Sequence, residues 1–310
     1  MIERGLLVGK TLESGYDRFD RTSPGRREGE DAMSADVQHR PWPIPGSPWI
    51  MKQTWNDLLF AHWPVKPERI LPTLPPGLRL DTFEGQAWIG LVPFWMSGVL
   101  PRGIPDWPVF SPLSTFPELN VRTYVTDRNG EKPGVWFYSL DAANRLAVET
   151  ARRWFRLPYF QAQMRTWHDG VWVEYRSERT HPGAPPATLS GRYRPLGSVF
   201  ESAPGTLESW LTDRFCLYSA SRRATLYRAE IDHPAWPLQL AEGELRFDAL
   251  VRQHRLRLPD TAPLLHFARR ISMVAWPLEA ADSQAKARAN ARTGIFSGLP
   301  SAGVPPWNRS

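Results

Sequence analysis

The chain has 310 residues, 42% of them hydrophobic, with 15 Trp, 14 Phe and a net charge of +6. No run approaches the roughly 18 apolar residues needed to cross a bilayer, and no signal-peptide core opens the chain, so no membrane partner and a cytoplasmic location are expected. Cys216 is the single cysteine, which excludes an intrachain disulfide and a thiolate metal cluster.

Lysine occurs only at Lys10, Lys52, Lys66, Lys132 and Lys286, and the remaining positive residues are arginines spread along the chain. Charge of this kind speaks to solubility before it speaks to phosphate binding. A nucleic-acid partner is therefore not expected, and a nucleic-acid-associated basic protein is the weakest of the readings.

In chain order, residues 1–40 are polar, with a GRREGED run at 25–31, and cannot bury enough apolar surface to offset their ordering. A disordered tail is expected there, and Met33 offers an alternative start. Residues 41–282 carry the pattern of a single domain. Short β-like runs are predicted at 51–60, 87–92, 119–125, 135–140, 160–165, 171–176, 189–194, 225–231, 236–240 and 267–278, separated by Pro and Gly. Many short strands with turns between them indicate a mainly β sandwich or barrel rather than a βαβ fold. Helices are predicted at 67–74, at 142–155 with Asp141 as N-cap, and at 207–214 with Thr206 as cap. In the second of these, Leu146, Ala147, Thr150, Ala151 and Trp154 share one face. Residues 283–310 turn polar and Gly/Pro-rich, and a second tail is expected.

The run Phe116-Pro-Glu-Leu-Asn-Val-Arg-Thr-Tyr-Val125 alternates with period two. Glu118, Asn120, Arg122 and Tyr124 share one face, and Leu119, Val121, Thr123 and Val125 share the other. On an open antiparallel sheet the polar face is solvated. If it turns into a barrel instead, Glu118 and Arg122 become an acid and a base held ready for a small ligand. Arg152 can clamp a carboxylate with two hydrogen bonds, or else pair with Glu149 or Asp141. Tyr159 can donate a hydrogen bond or serve as a general acid, or else pack beside Pro158. His62 and His233 lack the three or more ligands that a metal site needs, so no metal and no other cofactor is expected. Cys216 lies between Phe215 and Leu217, a setting in which a thiol is inert.

Several motifs together resemble the acetoacetate decarboxylase-like superfamily, and within it the uncharacterised YqjF-like family. They are Phe60-Ala-His-Trp-Pro-Val65, Phe116-Pro-Glu-Leu-Asn-Val-Arg122, Val135-Trp-Phe-Tyr-Ser-Leu-Asp141, Leu157-Pro-Tyr159 and His233-Pro-Ala-Trp-Pro-Leu238. The resemblance implies a cone-shaped antiparallel β-barrel with flanking helices and a central pocket. Glu118 falls where that superfamily places an active-site glutamate. The family's Schiff-base chemistry needs an amine of lowered pKa. Pro158-Tyr159-Phe160 stands where the decarboxylases carry Pro-Lys-Lys, so that chemistry is not expected.

The expected function is a small-molecule-binding barrel whose ligand is a small carboxylate or carbonyl compound. The alternative is a lysine-independent enzyme, lyase- or hydrolase-like, with Glu118 as acid/base. Glu118 and Tyr159 are the catalytic candidates. Asn120, Arg122, Tyr138, Arg152 and His62 are the candidate ligand contacts. The sequence leaves the oligomeric state open.

Overall fold

The structure, a computed structural model, describes residues 40–105, 114–221 and 224–281. The chain divides into residues 1–37 and 38–310, and every described residue belongs to the second unit. The expected tails at 1–40 and 283–310 lie, Arg40 apart, outside the described residues.

Thirteen strands form one sheet. They are β1 (Met51–Val65), β2 (Arg79–Leu80), β3 (Ala87–Pro101), β4 (Phe116–Thr126), β5 (Gly134–Ala142), β6 (Tyr159–His168), β7 (Val173–Arg179), β8 (Thr188–Phe200), β9 (Cys216–Ala220), β10 (Leu226–Asp232), β11 (Leu238–Asp248), β12 (Leu264–Ala275) and β13 (Glu279–Ala280). Among the described residues three short α-helices lie between them: α1 (Pro67–Ile70), α2 (Arg145–Trp154) and α3 (Leu207–Thr212). The strands outrun the predicted ones because β1, β3, β8 and β11 continue through residues whose polarity or proline content reads as a turn. Pro64 and Pro93, for example, both lie inside strands.

The sheet order runs β5-β6-β7-β8-β11-β12-β1-β3-β4, and β4 also pairs with β5, so these strands form a closed circuit. β9 and β10 bridge β5 to β12 beside it. Closure removes the free edges that would otherwise invite aggregation. The sheet is not wholly antiparallel, as β5 pairs in parallel with both β6 and β9. For β6 the reason is the crossover through α2, since parallel neighbours need a connection long enough to return the chain to the same end.

The start of α2 differs from the sequence expectation. Asn144, not Asp141, is the N-cap, accepting a 3.0 Å hydrogen bond from the Ala147 N–H. Asp141 is the second-last residue of β5, where it is buried in an ion pair with Arg179. Thr206 caps α3 as expected, accepting from Ser209 N.

β4 is buried on both faces, which sets the frame for the site. One face, with Leu119 and Val121, packs into a core that includes Leu59, Ile89, Tyr175 and Phe267. Each such side chain contributes about 1.5–3 kcal/mol by leaving water. The other face is the polar one, and it does not meet solvent: Glu118, Asn120 and Arg122 are all buried.

Candidate functional site

Strand register brings the polar residues together. Across β4, β5 and β6, Glu118 lies opposite Ala142, and Asn120 opposite Leu140, which in turn lies beside Tyr159. Directly opposed residues share a face of the sheet. Glu118, Asn120, Leu140 and Tyr159 therefore point the same way, into a cavity of about 420 Å³. Arg122 lines it further along β4. Most of the wall is apolar, with Trp55, Leu58, Phe94, Phe116, Phe137 and Trp236 among its side chains. Among the described residues no lysine lines it.

Glu118 is 3% exposed. Its one side-chain hydrogen bond among the described residues comes from the Tyr159 hydroxyl, 2.8 Å from Oε2. Burial pushes its carboxyl up to about 8, against a smaller downward pull from the Tyr159 hydrogen bond, with Asp141 adding a further upward push. Burial, and the neighbouring Glu118, hold the Tyr159 phenol well above its ordinary value. Near neutrality both groups keep their protons, which makes the pair a proton donor aimed into an apolar space.

Arg122 is 8% exposed and forms no ion pair among the described residues. Its guanidinium lies over Phe60, 5.2 Å from the ring centre, with long contacts from Nη2 to the Tyr124 hydroxyl (3.4 Å) and the Leu211 carbonyl (3.5 Å). Its Nε and the Oδ1 of Asn120, two residues earlier on the same face, have no hydrogen-bond partner. The other buried arginines are all matched: Arg40 with Glu230 and Asp232, Arg179 with Asp141, Arg214 with Asp81, and Arg228 with Asp127.

His62 lies behind this arrangement rather than on the cavity wall. Register places it opposite Gly90, which is opposite Arg122. The absent side chain at Gly90 lets the imidazole and the arginine stem approach, since a Cβ there would stand 3.1 Å from His62 and 3.3 Å from Arg122 Cγ. His62 Nε2 is 2.6 Å from the Tyr124 hydroxyl. Burial first, then Arg122, lower its pKa well below the ordinary value, so it is a neutral prop for Tyr124 and Arg122.

Two other candidates do not reach the cavity. Between Val121 and Arg122 the β4–β5 register slips by one residue, leaving Tyr138 as an extra residue in β5. Such a bulge turns its side chain to the opposite face from the one strict alternation gives. Tyr138 accordingly joins the core on the Leu119 side, with its hydroxyl 2.6 Å from that of Thr73. Arg152 is exposed. It pairs with neither Glu149 nor Asp141, but donates to the Tyr159 carbonyl and lines a separate open groove with Arg153, Arg156 and Phe160.

Arg214 and His233, neither of them among the candidate site residues read from the sequence, both line the cavity. Arg214 is held by Asp81 and the Trp210 carbonyl, and the His233 ring stacks on Phe215. Arg214 lies two residues beyond the end of α3 and His233 directly after the end of β10, so neither belongs to a regular element whose pattern would reveal it. Burial raises Cys216 to about 12, which fits an inert thiol. Among the described residues no group of three or more His, Cys, Asp or Glu converges as a metal set.

The model of the DUF2071 family, described as an uncharacterized conserved protein, matches residues 52–272. The uncharacterized protein YqjF of Bacillus subtilis (strain 168) is 42% identical over 246 residues, 79% of this chain and 98% of that one. Solved structures share the fold at low identity. The enduracididine biosynthesis enzyme MppR, complexed with the condensation product of pyruvate and imidazole 4-carboxaldehyde, aligns at 12% identity with a TM-score of 0.56, covering 76% of this chain and 90% of that one. An acetoacetate decarboxylase-like enzyme from Sphingomonas wittichii RW1 aligns at 12% identity with a TM-score of 0.52, covering 76% and 93%.

Proposed function

The chain belongs to the DUF2071 family, and from the cavity inside its closed sheet we propose that it binds a small organic carboxylate, with Arg122 as the partner of the carboxylate group. One observation carries this reading: a buried guanidinium lines the cavity with no carboxylate among the described residues to match it. Leaving a charge buried and unpaired is costly, and the other buried arginines do not bear that cost. A ligand carboxylate supplies what is missing, with Asn120 beside it as a second polar contact. The protonated Glu118–Tyr159 pair leaves the site electropositive, which favours an anion over a cation.

A second reading, a lysine-independent lyase- or hydrolase-like enzyme, draws on Glu118 itself. A carboxyl at about 8 beside a phenol suits proton transfer to or from a carbonyl compound near neutral pH. The two readings share the anchor and differ in whether the bound acid reacts.

The test is ligand-induced thermal stabilisation with a panel of organic acids, each compared with its amide. Acids should stabilise the protein and amides should not. Arg122→Gln should weaken acid binding about thirtyfold or more, the loss of roughly 2 kcal/mol or more expected for a buried charge partner. Equal response to acids and amides, or an Arg122→Gln variant that binds like wild type, would remove Arg122 from the site.

A further inference from the structure

A carboxylate on Arg122 accounts for only one end of the cavity. The rest is walled by aromatic and aliphatic side chains and leads to α2. Helix α2 is amphipathic in an unusual sense: its one buried residue is Val148, and apart from Ala147, which also packs on a core, its apolar stripe is given to the cavity. Leu146, Ala147, Thr150, Ala151 and Trp154 all line the cavity, and Leu146 is 66% and Trp154 64% exposed. Ile50 and Ile104 are also exposed and line the same cavity. Scattered exposed hydrophobics need no explanation, but four large ones lining one cavity together with a buried apolar wall indicate something that covers them.

We infer that the ligand is an amphipathic monocarboxylate whose apolar body fills the cavity from Arg122 outward and emerges between Leu146 and Trp154 of α2. This rests on the reading of Arg122 as the carboxylate's partner. At about 420 Å³ the cavity is within the 300–1,000 Å³ range of drug-sized ligands, well beyond what a two- or three-carbon acid fills. Its ionisable groups, Glu118, Arg122 and Arg214, are buried while Leu146, Trp154, Ile50 and Ile104 are exposed, so the lining grades from polar and buried to apolar and open. A medium-chain aliphatic or arylalkyl acid has the same gradient. Glu118 and Tyr159 then touch the ligand near its carboxylate end, and α2 sets how long its body is.

The experiment is calorimetric titration of the full chain with linear saturated monocarboxylates from butanoate to decanoate, below their micelle concentrations, with the matched primary alcohols as controls. Affinity should rise about threefold to fourfold per added methylene, the effect of burying one CH₂ group, and the alcohols should bind more weakly throughout. The double substitution Leu146→Ser with Trp154→Ser changes only exposed side chains, so folding is spared. It should flatten the rise for the longest acids and leave butanoate unchanged. A flat series, with butanoate bound as well as decanoate, would overturn this inference and leave the carboxylate anchor standing. So would an unchanged slope in the double variant, which would deny the exit past α2. Alcohols bound as tightly as acids would instead bring down the anchor, and with it this assignment of the ligand.

Discussion

At the scale of single residues, Glu118 owes its chemistry to where β4 places it. In water a glutamate titrates near 4.5; here burial outweighs the Tyr159 hydrogen bond and raises it to about 8. The folded protein therefore retains a proton that the unfolded chain releases between about 4.5 and 8. Its contribution to stability is complete below about 4.5 and is lost as pH rises through 8. Asp141, raised by burial to about 6 despite Arg179, acts in the same direction over a lower window. His62, lowered mainly by burial, acts oppositely, with its contribution lost as pH falls. Glu118→Gln isolates the first of these, because glutamine is neutral at every pH and still accepts from Tyr159. Melting temperatures should nearly coincide with wild type at pH 5, separate progressively as pH rises toward 8, and keep a constant gap above that. At pH 9 the variant should melt several degrees higher, since each kcal/mol shifts the midpoint by about 2–4 °C in a domain of this size. Parallel curves would mean that Glu118 is ionised in the folded state.

Individual elements were legible in the sequence where alternation and punctuation agree. β4 could be read from its period-two pattern, β5 and β7 as short β-like runs between turn residues, and the polar face of β4 was grouped as Glu118, Asn120, Arg122 and Tyr124. What could not be read is how strands meet. The slip that removes Tyr138 from the cavity is a property of the β4–β5 pair and has no signature in β5 alone. The cap of α2 was misread for a related reason. Asp141 and Asn144 are both good caps by type, and only the burial of Asp141 against Arg179 decides between them. Asn144→Ala should therefore cost about 1 kcal/mol in urea unfolding, with an unchanged m value. No loss would mean that the cap contributes nothing to α2.

For the whole molecule, the sequence supported a mainly β fold and the family, and the resemblance implied an antiparallel barrel, but neither showed the parallel pairs around β5 or which arginines would be matched. Those depend on contacts such as Arg179–Asp141 and Arg40–Glu230, separated by 38 and 190 residues, that no local pattern encodes. Pairing is also what gives Arg122 its meaning: one unmatched charge stands out only because the others are satisfied. Proteins tolerate such a charge where function requires it, at a cost in stability.

The most direct measurement is the melting temperature of ligand-free Arg122→Met beside wild type. Replacing a buried charge by an apolar side chain of similar volume is often neutral or stabilising by about 1–4 kcal/mol. If Arg122 is kept for a ligand's carboxylate, the variant should melt at the same temperature or a few degrees higher, and organic acids should no longer stabilise it. A variant that melts several degrees lower while still responding to those acids would show that Arg122 holds the fold together, and would contradict the binding site built around it.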